Sequence, residues 1–187
     1  MYPPAQNYFD RVARNFAQLS SLAPVIGRAA AAMTEAVRGG HTVMFCGNGG
    51  SAADSQHLAA ELTGRYLKDR APLPAIALTV DTSALTAIAN DYTYADIFSR
   101  QLRGLGQRGD LLVGLSTSGN SENVLRAFGV AREIGVASIG MTGLNGGKLR
   151  TACDIAICVP AEEPNHIQEM HIAIGHYLCG FVENAVC

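Results

Sequence analysis

His57 and Glu61 stand four residues apart and share one face of any helix that carries them. Far along the chain, Gln168 and His176 are eight apart, just over two helical turns, so they lie within about a quadrant of each other. Imidazole nitrogen and carboxylate oxygen are ligands for Zn²⁺, and a side-chain amide oxygen adds a further donor. If the two segments meet, His57, Glu61, Gln168 and His176 form one site able to hold a metal and move protons. Spacing alone leaves alternatives open. An i,i+4 His/Glu pair also serves as an ordinary surface pair, and His171 competes with His176 for the inward-facing position. His41 and His166 stand at element edges and are expected to be solvated.

Two further stretches suit an anion. Gly47-Asn48-Gly49-Gly50-Ser51 follows an apolar run and opens a helical one. Glycines let backbone N–H groups approach an anion, and a helix N-terminus favours negative charge. Ser51 is placed to cap that helix. Gly47, Gly49 and Ala52 also satisfy a relaxed G-x-G-x-x-A dinucleotide fingerprint. That motif wants an acidic residue about 20 positions on, and here the second strand reaches Asp81 only after more than thirty. NAD binding is therefore disfavoured, and the absence of G-K-[ST] excludes a Walker A loop. The second stretch, Ser116-Thr117-Ser118-Gly119-Asn120-Ser121, places four hydroxyls in six positions. Hydroxyls donate to phosphate oxygens without adding charge. An ordinary capped turn is the competing reading, although one serine would suffice for a cap.

The elements that must position these groups follow from periodicity. Helical spacing runs through residues 6–19, and a second helix opens at Pro24 and stops at Gly39-Gly40. Short apolar runs at 42–46, 75–80, 111–115, 136–141 and 155–159 predict buried strands. Helices are expected after 51, at 83–90, 94–105, from 121 to 134, and at 167–186, with a loop at 160–164. Strands alternating with helices imply an α/β fold: a doubly wound, five-stranded parallel sheet flanked by helices. Ligands in such sheets sit beyond the carboxyl ends of the strands, which points to the loops after Cys46, Val80, Leu115 and Met141. The two leading helices, within residues 1–40, fall outside the alternation as an extension that packs on the sheet or on another subunit.

Bulk properties narrow the function classes. The 187 residues suit one domain; 48% are apolar and 16% charged, a globular mix with few charges for a free monomer. Oligomerisation is expected for that reason. The net charge is −2 and no Lys/Arg block occurs, so a nucleic-acid partner is not expected. No apolar run approaches the roughly 20 residues of a membrane helix, and the first residues lack a secretory pattern. The five cysteines, Cys46, Cys153, Cys158, Cys179 and Cys187, form no C-x-x-C pair. They read as structural thiols of a reducing cytoplasm.

The two loops, together with Gln56-His57-Leu58-Ala59-Ala60-Glu61, Leu85-Thr86-Ala87-Ile88-Ala89-Asn90-Asp91 and the run from Ile167 through His176, resemble in order and spacing the phosphoheptose isomerase family of the sugar isomerase (SIS) fold. The resemblance spans nearly the whole chain, read as one SIS domain over 1–187. It implies zinc at His57, Glu61, Gln168 and His176. It implies substrate contacts at Asn48, Gly49, Gly50, Ser51, Glu61, Asn90, Asp91, Ser116, Thr117, Ser118, Ser121 and Gln168. Glu61 and His176 become the acid/base pair, with Asp91 a possible auxiliary. Also implied are a cytoplasmic homotetramer with active sites between subunits, and conversion of sedoheptulose 7-phosphate to D-glycero-D-manno-heptose 7-phosphate toward lipopolysaccharide. Three alternatives stand beside this. One is a non-catalytic SIS protein that binds the replication initiator, against which the retained Glu61 and His176 speak. Another is a sugar-phosphate sensor, whose usual DNA-binding domain 187 residues would not accommodate. The last is an isomerase of another ketose phosphate.

Overall fold

Five short strands form one parallel sheet in the computed structural model, which describes residues 2–187. They are β1 (Val43–Gly47), β2 (Ala75–Ala77), β3 (Leu111–Leu115), β4 (Ala137–Thr142) and β5 (Ile155–Cys158), in the order β2-β1-β3-β4-β5. Side chains alternate between faces, so both faces of these apolar runs need cover. Val43, Phe45, Leu111 and Val113 join one core, whereas Met44, Cys46 and Leu112 join the other.

The first core is roofed by three helices, α2 (Ala23–Arg38), α3 (Gly50–Thr63) and α8 (Pro164–Val186). The second lies under α4 (Thr82–Asp91), α5 (Ile97–Leu105), α6 (Glu122–Ile134) and the single turn α7 (Leu149–Ala152). The leading helices behave differently from each other. α2 buries Ile26, Ala29, Ala30, Met33 and Val37 against the sheet, whereas α1 (Ala5–Ala17) has no buried residue. Polar contacts with the start of α8 hold α1. Tyr8 Oη donates to Glu169 Oε1 at 2.5 Å, and Arg11 pairs with Glu163.

Two boundaries and one missed element depart most from the sequence expectation. β2 ends at Ala77 rather than residue 80, because the Asp81 carboxylate caps α4 through the Ala84 N–H and turns the chain away. α8 starts at Pro164 rather than 167, since proline is pre-organised for a first helical turn. Four residues are too few for α7 to show a period.

The strand order reverses between β1 and β3. Ligands of such sheets sit outside the carboxyl ends of the strands at that reversal, which here is where the glycine-rich loop after β1 and the serine-rich loop after β3 leave the sheet.

Candidate active site

α3 leaves β1 through Gly49, whose φ of 55° ends the strand, and the helix begins at Gly50. Ser51 is not the cap. It is the second helical residue and is buried, because the turn closes on backbone bonds from the N–H groups of Ser51 and Ala52 to the carbonyls of Asn48 and Gly49. His57 and Glu61 follow two and three turns along.

α8 runs beside α3, and the two approach most closely where Gly175 meets Leu58. A Cβ on Gly175 would lie 2.5 Å from a Leu58 methyl. The next residue, His176, thereby reaches His57. Their Nε2 atoms are 2.8 Å apart, and Glu61 Oε1 is 3.2 Å from the His57 Nε2. The three ligand atoms lie within 4.8 Å of one another. The His57 side chain is 48% exposed, so the cluster opens to solvent on one side. Below it, burial pushes the Asp54 carboxyl up to about 6, with His57 pulling the other way, and Asp54 Oδ2 has no hydrogen-bond partner.

This donor set fits a metal. With Nε2 atoms 2.8 Å apart, either one ring donates a proton to the other or both lone pairs turn to a shared cation. A tetrahedral Zn²⁺ spaces its N and O donors by roughly 3.3–3.6 Å, so slight spreading of the cluster would admit it. Gln168, the fourth expected ligand, lies elsewhere on the seam. Its amide rests against Gly50, where an added Cβ would meet Oε1 at 2.6 Å. It is eight residues, or roughly 12 Å of helix axis, from His176. The seam thus joins three of the four expected ligands and sets the fourth beside the glycine-rich loop.

His171 does not belong to the cluster. It is fully buried in α8, neither ring nitrogen has a hydrogen bond of ordinary geometry, and burial pulls it down to about 4 despite the nearby Thr142 backbone. His166, expected to be solvated, is also buried. Its ring packs on Tyr8, and Nδ1 lies 2.9 Å from Glu169 Oε2. The reason is α1, which covers this end of α8. His41 is partly exposed, 3.8 Å from Asp110.

The loops are held by polar groups. Asn48 and Asn123 exchange amide bonds of 2.8 and 2.9 Å, and Tyr94 Oη donates to Asn48 Oδ1. Sequence reasoning missed Asn123, a buried asparagine in the first turn of α6 whose only signal was its place just after the serine loop. In that loop the Ser116 and Ser121 hydroxyls are 2.9 Å apart, and Ser118 Oγ accepts from the Asn120 N–H. Thr117 and Ser118 line a 260 Å³ cavity with the turn from Gly143 to Gly147. Asn90 and Asp91 end α4 exposed, with the Asn90 amide donating to Asp91. Of the thiols, Cys46 and Cys179 are buried and pushed up to about 12 by burial, Cys187 is exposed, and all five are free.

Residues 7–143 match the SIS domain family. A phosphoheptose isomerase of Rhodospirillum rubrum is 60% identical over 172 residues, which is 92% of each chain. The solved structure of a phosphoheptose isomerase from Francisella tularensis aligns with a TM-score of 0.92 at 36% identity. One from Neisseria gonorrhoeae aligns at 0.89 and 41%. Each alignment covers 96% of both chains.

Proposed function

Because the chain belongs to the SIS domain family, and within it to the phosphoheptose isomerases, we propose that His57, Glu61 and His176 form the metal-binding and proton-transferring end of its active site. The chain is an aldose–ketose isomerase of heptose biosynthesis, acting on sedoheptulose 7-phosphate. The convergence of the three side chains from two helices carries the reading of the site.

The chemistry asks for a base at C1 of the ketose, stabilisation of the negative charge that develops on the carbonyl oxygen, and an acid at C2. Glu61 and His176 are the acid/base pair, although base and ligand compete for the same carboxylate and the same Nε2. One removes the C1 proton as the C2 carbonyl oxygen takes one, which gives the enediol; return of a proton to C2 and loss of the O1 hydroxyl proton then give the aldose. Zn²⁺, held by His57, Glu61 and His176, would polarise the carbonyl. Gln168, seated beside the glycine-rich loop, orients the sugar and serves as a ligand only if its amide swings toward the cluster. Asn48, Gly49 and Gly50 meet the sugar from the glycine-rich loop, where Asn48 is held ready by Asn123, and the buried Ser51 closes the turn behind them. Ser116, Thr117, Ser118 and Ser121 take the phosphate. Asn90 and Asp91 contact the sugar from the end of α4.

The open side of the cluster supports a homotetramer whose active sites lie between subunits. We read the whole of 1–187 as one SIS unit, since α8 lies beyond the family match yet supplies His176 and roofs the core. A cytoplasmic place in the route to lipopolysaccharide completes the reading. No described helix is long and apolar enough to cross a membrane.

The test is to incubate the purified protein with a panel of ketose 7-, 6- and 5-phosphates and score aldose formation. Turnover with sedoheptulose 7-phosphate and a drop of about 10²–10⁴-fold in Glu61→Gln are expected. Near-normal turnover in that variant ends the role of Glu61, and full activity after exhaustive chelation removes the metal.

A further inference from the structure

The segment between α3 and β2 is pinned by one buried carboxylate. Glu183, near the end of α8, accepts from the backbone N–H groups of Tyr66, Leu67 and Lys68 at 2.8–3.0 Å and from Arg70 Nε at 3.0 Å. Burial alone would raise this carboxyl. The three N–H donors and the Arg70 guanidinium outweigh it and hold the group below its usual range. Arg70 is equally enclosed. It donates to the carbonyls of Glu61, Leu62 and Gly64, the groups that the end of α3 leaves unpaired. One ion pair thus ties together the last turn of α3, the loop and α8.

The loop so held lays the Tyr66 ring on α8. It stacks on His176 with centroids 5.9 Å apart and planes at 24°. It also crosses Gly180, one turn on, where a Cβ would lie 2.9 Å from the tyrosine ring. His176 therefore meets His57 along its Nε2 edge and Tyr66 across its face.

We propose that Tyr66 is a positioning residue for His176, held over the imidazole by the Glu183–Arg70 clamp. An imidazole on a helix surface rotates about two side-chain bonds. A flat ring against one face removes most of those orientations and leaves Nε2 aimed at His57 and Glu61. Misplacement by about 1 Å costs an enzyme up to 10²-fold. The inference rests on the proposed role of His176 in the isomerase.

The experiment compares Tyr66→Phe, Tyr66→Leu and Gly180→Ala in the full chain. Two readouts are taken: the ring-proton resonances of His176 in metal-free protein, and kcat and KM with sedoheptulose 7-phosphate. Phenylalanine keeps the stack, so Tyr66→Phe should hold the resonances and retain kcat within about threefold. Tyr66→Leu removes the ring current, and Gly180→Ala crowds the ring off its seat while favouring the helix. Both should move the His176 resonances and lower kcat about tenfold or more with little change in KM. Faster amide exchange at Tyr66, Leu67 and Lys68 in Glu183→Gln would support the clamp. Unmoved resonances in Tyr66→Leu overturn the proposal, as does full kcat despite moved resonances. If His176→Ala itself is fully active, the functional reading fails instead, and the resonances still report whether Tyr66 stacks on the ring.

Discussion

A buried imidazole without a partner is costly, and His171 is one, seated five residues before the histidine proposed to act. Its neutral form is the one that burial tolerates. It titrates at about 4 in the folded chain against 6.5 when exposed. Between those values the unfolded chain binds a proton that the folded chain does not, so stability should fall as pH drops from 6.5 toward 4. His171→Leu removes the titration and two unsatisfied atoms. It should hold or raise stability at pH 7 by about 1 kcal/mol and flatten the urea-midpoint profile between pH 6.5 and 4. An undiminished slope in that variant would assign the acid sensitivity elsewhere. Gln168 raises a different question, because its amide is seated against Gly50. Gly50→Ala should push the amide away with folding stability within about 1 kcal/mol. A raised KM is expected, and an unchanged KM would remove Gln168 from the substrate.

Between elements, the seam of α3 and α8 decides whether there is a cluster at all. The helices close on each other because Gly175 presents no side chain to Leu58. Gly175→Ala inserts a methyl into that contact. Overpacking costs about 1–3 kcal/mol, against at most about 1 kcal/mol gained in helix propensity. A net loss of about 1–2 kcal/mol is expected in denaturant unfolding, together with weaker metal binding by calorimetry as His57 and His176 part. Equal metal affinity would show that the cluster does not depend on this approach. The Glu183–Arg70 pair works at the same scale, at the carboxyl end of the seam. Breaking such a buried pair from one side costs about 3–5 kcal/mol.

At the scale of the whole molecule, α1 stands apart. It has no buried residue of its own, carries the exposed Phe9 and Phe16, and touches the rest mainly through Tyr8 and Arg11. Removing residues 1–17 should leave the core fold intact by circular dichroism and lower the number of subunits seen in sedimentation, if α1 serves the proposed tetramer. An unchanged number would take α1 out of that proposal. The sequence by itself determined the sheet and its helices, because strands covered on both faces must be apolar at every position and helices must be periodic. It also determined the two loops and the His57–Glu61 face, since i,i+4 neighbours on a helix are local geometry. Only the tertiary structure decided between His171 and His176, which lie on one apolar helix and differ in what packs against them. It alone set Gln168 beside Gly50, buried His166 under α1, and recruited Asn123, Tyr66 and Glu183. Those roles rest on contacts between residues far apart in the chain, and no local pattern records which distant surfaces a folded core brings together.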